Sequence, residues 1–193
     1  VFFAFECLLT NHTRKFFAPL KNLIPYFIQH QFEQEKSHGY FNAYTMFIDL
    51  SGFTPLTETL MERGNEGAEE LSIILNKVFE PMVSLVYRKN GFIPYFAGDA
   101  FTAIFPKEEV RHPWEIILTA QALRDLFDEK ESWETRYGAF DIRIKIGLAC
   151  GKVEWGIVGE KLHKSFYFRG DGIDTCAQSE HYANEQEIIV ANN

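Results

Sequence analysis

Apolar residues fall along the chain in short blocks whose spacing separates strands from helices. Residues 44–50 (YTMFIDL) form an apolar run holding one carboxylate, Asp49, and the run ends in SGFTP at 51–55. The pattern predicts a buried strand, a tight turn and a helix start, with Thr54 as N-cap and Pro55 at the first helical position. Between 67 and 87, Leu71, Ile74, Val78, Met82 and Leu85 recur at helical spacing. One face of that helix is core, and Pro81 is expected to kink it. Residues 92–97 and 101–105 are two apolar runs flanking Gly98-Asp99-Ala100, the pattern of a hairpin with Asp99 at its tip.

A helix is expected at 113–129, then a charged loop, then a strand at 140–148 whose alternation places Arg143 and Lys145 on one face. Further strands are expected at 151–158 and 165–168, a short helix at 171–182 and a last strand at 188. Residues 1–39 mix aromatic patches with polar stretches in no clean period and read as an N-terminal packing extension to a domain at 40–193. Without the additions the order is strand, helix, two strands, helix, strand. That is an α+β, ferredoxin-like (βαββαβ) sheet with helices on one face.

The chain has 193 residues, enough for one domain with a proper core. A net charge of −8 gives no basic field for a polyanion, so nucleic acid and anionic membrane are poor partners. No apolar run is long enough to cross a bilayer. The cysteines, Cys7, Cys150 and Cys176, are widely spaced and in no CxxC pair. A disulfide framework or zinc site is not expected, and a reducing cytoplasmic setting is. The six histidines show no metal-binding spacing. The chain opens without Met and stops soon after its last strand, as expected of a piece of a longer protein.

An acidic chain that handled a polyphosphate would need positive charge supplied locally. In a ferredoxin-like sheet the first strand lies beside the hairpin, so Asp49 and Asp99 can converge at one edge. Two such carboxylates suit a pair of Mg²⁺ ions, which favour one or two carboxylates plus phosphate oxygens and water. Taken singly, each has a plainer reading: Asp49 as a cap of the following turn, Asp99 as a hairpin turn residue. Ser51, Gly52, Phe53 and Thr54 add a glycine turn running into a helix N-terminus, which binds phosphate well. Lys145 on a central strand is either an edge lysine with its head in water or a phosphate contact.

Three segments in order, FIDLSGFT at 47–54, FAGDA at 96–100 and DIRIKIGLA at 141–149, resemble the class III adenylyl and guanylyl cyclases. The likeness is greatest to the first, metal-binding catalytic domain of soluble adenylyl cyclases and covers roughly 40–190. It implies that Asp49 and Asp99 bind two Mg²⁺ or Mn²⁺ ions, assisted by the Leu50 carbonyl. It also implies that Ser51 to Thr54 and Lys145 hold the phosphates of ATP, with GTP as the other purine triphosphate left open. The implied reaction is attack of the ribose 3′-oxygen on the α-phosphorus, giving cyclic AMP and pyrophosphate. Tyr95, Asp174 and Gln178 stand where the complementary half of the family has a purine-binding Lys and an Asn and Arg for ribose and transition-state phosphate. The resemblance therefore implies a complementary cyclase domain, in the same longer chain or a second subunit, and an inactive homodimer.

Three competing readings remain open in the sequence. One is a catalytically inactive, cyclase-like regulatory domain. A second is a GGDEF-like diguanylate cyclase, against which Ala100 stands in place of the second acid of that turn. The third is a plain ferredoxin-like interaction module.

Overall fold

The computed structural model describes residues 5–6, 24–128, 132–160 and 163–192. Cys7 and His12 lie outside the described residues. In chain order the elements are β1 (Phe5–Glu6), α1 (Tyr26–Glu33), β2 (His38–Ser51), α2 (Phe53–Met61), α3 (Gly64–Arg88), β3 (Phe96–Ala97), β4 (Ala100–Pro106), α4 (Trp114–Asp128), β5 (Trp133–Thr135), β6 (Gly138–Phe140), β7 (Arg143–Glu160), β8 (His163–Arg169), α5 (Asp171–Glu180) and β9 (Ile188–Val190). The fold is α+β with the expected βαββαβ order at its centre.

β2 is the spine of the sheet. It pairs antiparallel with β7 from His38↔Gly156 to Ser51↔Arg143, and with β4 from Ala43↔Pro106 to Ile48↔Phe101. The strand order is β1-β8-β7-β2-β4-β3, with β9 parallel against β7. Period-two alternation sends the two sets of side chains to opposite faces. On one face Met46, Ile48 and Leu50 join Ile144, Ile146 and Leu148 and meet α2, α3 and α4 through Leu56, Val78, Met82 and Leu123, all buried.

The other face is also covered, which departs from the expectation of helices on one side only. α1 sets Ile28 and Phe27 against Ala43, Phe92, Trp155 and Phe168, with the Phe27 and Phe92 rings stacked 5.4 Å apart. α5 lies on the same face. Thr45 Oγ1 donates to the Gly172 carbonyl at 2.6 Å, and a Cβ on Gly151 would come 2.7 Å from the Gly172 nitrogen. Small residues at Gly147, Gly151 and Gly172 let this helix approach the strand backbone closely, a signal that hydrophobic periodicity does not carry.

Other local expectations shift. The helix after β2 begins at Phe53 with Gly52 as N-cap, at φ 82°, and no side chain caps it. Thr54 is therefore not the cap and Pro55 is not the first helical residue. The helix starts two residues earlier because Gly52 adopts a left-handed conformation that Thr54 would resist. Pro55 is tolerated inside the first turn, where N–H groups have no intrahelical partner. α3 continues through Pro81 to Arg88. The strands expected at 140–148 and 151–158 are one strand, β7, because its pairing with β2 continues through Gly151↔Ala43. The charged loop contains the β5–β6 hairpin.

Candidate active site

Pairing between β2 and β4 stops at Ile48↔Phe101, so Asp49, Leu50 and Ser51 run on beside the turn that joins β3 to β4. That turn is Gly98-Asp99, with Gly98 at φ 70°. A glycine at positive φ in the first central position is what a tight hairpin of this kind takes, and it leaves Asp99 at the tip, partly exposed. The two aspartates, distant in sequence, thus meet at one edge of the sheet.

Lys145 is the Cα partner of Asp49 across the β2–β7 ladder, and both are partly buried. Directly opposed residues share a face, so the ammonium belongs to the same corner as the carboxylates. Burial, and after it the charge of Asp99, raise the Asp49 carboxyl above its ordinary range; Lys145, the Leu50 backbone N–H and His181 pull the other way. The rise comes first from burial, with the repulsion of Asp99 added to it.

The Gly52 turn is held from two directions. A Cβ on Gly52 would overlap the Asp141 carbonyl oxygen, so the turn sits directly on the chain entering β7. Phe53 is buried and packs edge-on against Phe79 of α3, which in turn packs edge-on against Phe96 of β3 and tilted against Phe101 of β4. These rings join the Gly52 turn to the Gly98-Asp99 hairpin through one side chain of α3. Thr54 is exposed and Leu50 has its side chain in the core, so only the backbone of Leu50 can face the site.

Ser51, Gly52, Phe53, Thr54, Asp49, Asp99 and Lys145 are therefore all brought to one corner of the sheet. Two further groups there carry no sequence motif. Ser51 Oγ donates to the Glu185 carboxylate at 3.2 Å. Glu180, at the end of α5, is 5% exposed and lies within the field of Asp49 and Lys145. Its signal was present: Ile173, Cys176 and Glu180 follow helical spacing, which places an acid on an otherwise buried face. Tyr95 and Asp174, expected to stand for the missing purine and ribose contacts, are also neighbours; the Asp174 charge adds to the burial that raises the Tyr95 hydroxyl.

The corner fits divalent metal. Neither Asp49 nor Asp99 forms an ion pair with Lys or Arg among the described residues. No group of three His, Cys, Asp or Glu among the described residues could hold an ion unaided. Mg²⁺ does not need such a group, since it keeps waters and takes phosphate oxygens beside one or two carboxylates.

Comparison with known proteins agrees with this geometry. The adenylate and guanylate cyclase catalytic domain model matches residues 35–193. The chain belongs to this family. It is 31% identical over 181 residues to adenylate cyclase type 10 of Homo sapiens, covering 91% of this chain and 11% of that protein. The cyclase domain described here thus spans about a tenth of the length of that curated relative. Among solved structures, the guanylyl cyclase domain of the RhoGC fusion protein of Blastocladiella emersonii matches with a TM-score of 0.63 and 20% identity, covering 80% of this chain and 81% of that one. The guanylate cyclase domain of RhGC from Catenaria anguillulae, solved with GTP, gives 0.62 and 20%, covering 79% of each. Both carry the same fold. Membership in the cyclase family sets aside the diguanylate cyclase and plain interaction-module readings. Among the described residues no helix is long and apolar enough to cross a membrane.

Proposed function

We propose that this cyclase domain is the metal- and triphosphate-binding half of a site that converts ATP to cyclic AMP and pyrophosphate. The observation that supports it most is the convergence of Asp49 and Asp99 beside the Gly52 turn, with Lys145 opposite Asp49 on the same face of the sheet. Asp49 and Asp99, with the Leu50 carbonyl, would hold two Mg²⁺ or Mn²⁺ ions. When bound, such ions supply Lewis-acid polarisation of the reacting oxygens and neutralise the triphosphate. Lys145 adds a fixed cation for the phosphates, and the N–H groups of the turn and the first turn of α2 offer donors to phosphate oxygen. The 3′-oxygen would form a bond to the α-phosphorus as the bond to the pyrophosphate leaving group breaks, with the 3′-hydroxyl proton passing to solvent water.

The base, ribose and transition-state contacts come from a complementary cyclase domain in this reading, because Tyr95, Asp174 and Gln178 cannot supply them. Electrostatic stabilisation of the transition state is commonly the largest catalytic contribution, so the chain alone should turn over little. The same three residues favour one second reading, an inactive regulatory domain that keeps the fold. The test is to assay cyclic AMP formation by this chain alone and mixed with a cyclase half bearing the missing Lys, Asn and Arg. Activity only in the mixture is expected. Robust turnover by the chain alone contradicts the half-site reading, and no turnover in a mixture shown to associate supports the regulatory one.

A further inference from the structure

Glu180 is a buried carboxylate that the two-metal reading leaves without a task. It closes α5, and its backbone rests on Gly147, where a Cβ would come 3.0 Å from the Glu180 Cα. Gly147 lies two residues along β7 from Lys145, and their partners on β2 are Phe47 and Asp49. Alternation puts Gly147, Lys145 and Asp49 on one face, so Glu180 is seated beside the Asp49–Lys145 pair. Burial and then the Asp49 charge raise its carboxyl above the ordinary range, opposed by Lys145 and His181.

No hydrogen-bond donor of the described residues reaches its carboxyl. The ring nitrogen Nδ1 of the adjacent His181 stands 3.8 Å away, on a side chain 79% exposed to water. The Glu180 oxygens are not among the fully enclosed, unpartnered polar atoms of the described residues, so water reaches them, and a nearly closed corner of this kind leaves a carboxylate to take its hydrogen bonds from water. Glu180 forms no three-ligand cluster with the aspartates among the described residues. A carboxylate one shell further out instead meets the waters that Mg²⁺ and Mn²⁺ retain.

We propose that Glu180 is a positioning residue for a divalent cation at Asp49, accepting hydrogen bonds from water bound to that ion. The proposal rests on the two-metal reading above and adds to it the group that orients the ion's water shell. It also assigns a task to the end of α5, whose close seating on Gly147 fixes where the carboxyl stands.

The test is Mn²⁺ titration of this chain, followed by the electron paramagnetic resonance signal of free Mn²⁺, for the unmodified chain, Glu180→Gln, Glu180→Asp and Asp49→Asn, with melting temperatures taken without metal. Glu180→Gln is expected to weaken Mn²⁺ binding about 10–100-fold, the usual effect of removing an outer-shell partner, without lowering the metal-free melting temperature. Glu180→Asp keeps the charge and should recover part of the affinity; if Glu180→Gln does not fold, a loss of Mn²⁺ affinity in Glu180→Asp carries the test. Mn²⁺ binding by the Glu180 variants indistinguishable from the unmodified chain, while Asp49→Asn loses it, overturns the inference and leaves the two-metal reading standing. Unchanged binding in Asp49→Asn as well overturns both.

Discussion

Gly52 joins β2 to α2, and replacing it with Ala separates two causes of cost. The residue sits at φ 82°, where an L side chain costs about 1–2 kcal/mol. Its Cβ would also overlap the Asp141 carbonyl oxygen, and such overpacking costs about 1–3 kcal/mol. The sum is roughly 2–5 kcal/mol, or a fall in melting temperature of about 4–20 °C for a chain of this length. Two control substitutions divide the sum. Gly98 has φ 70° but open space around a Cβ, so Gly98→Ala should show the backbone part alone, about 2–8 °C. Gly147 has no positive φ, but its Cβ would meet the Cys176 carbonyl and Glu180, so Gly147→Ala shows the steric part alone. Thermal melts of the three variants, followed by circular dichroism, should rank Gly52→Ala as the most destabilised. A Gly52→Ala melt matching that of Gly98→Ala would mean that the turn is not held on Asp141, and would refute the account of how the site is built.

Three further outcomes are expected. Without metal, Asp49 and Glu180 have raised carboxyl pKa values, so between the ordinary carboxylate range and the raised values the folded state binds more protons than the unfolded state. Stability should therefore fall as pH rises through that window, and Asp49→Asn should flatten part of the slope in melts with chelator; an unchanged slope contradicts the charge assignment. Phe79→Ala should cost somewhat less than the roughly 3–5 kcal/mol of a fully buried Phe, since Phe79 is half-buried, and should weaken Mn²⁺ binding, because it links the Gly52 turn to the Asp99 hairpin. Phe27→Ala should lower the melting temperature with Mn²⁺ affinity intact, since Phe27 packs on Phe41, Phe92, Trp155 and Phe168, away from the aspartates.

Much of the site was legible because its parts lie in contiguous motifs. Strand periodicity located Asp49 and Lys145, and a glycine-acid pair between two apolar runs located Asp99. The helices on the second face were harder to place. α5 is short and mixed in polarity, and its docking depends on missing side chains at Gly147 and Gly151, a steric fact rather than a hydrophobic one. α1 lies within a stretch with no clean period, and its stability comes from aromatic contacts to Phe92, Trp155 and Phe168, which come from other parts of the chain. Glu180 went unnoticed because an acid at a helix end ordinarily faces water; only the seating of α5 on Gly147 buries it. The cap moved from Thr54 to Gly52 because backbone conformation outweighed side-chain capping preference.

The central claim is that Asp49 and Asp99 serve metal rather than local structure, and it is tested most directly by Asp49→Asn and Asp99→Asn assayed with the complementary half. Asn keeps the shape and removes the charge. The account predicts that reconstituted cyclic AMP formation falls by orders of magnitude, while the metal-free melting temperature stays level or rises as repulsion between the pair is relieved. If the carboxylates merely cap their turns, stability should drop by about 0.5–2 kcal/mol and activity should survive. That second result would contradict the account.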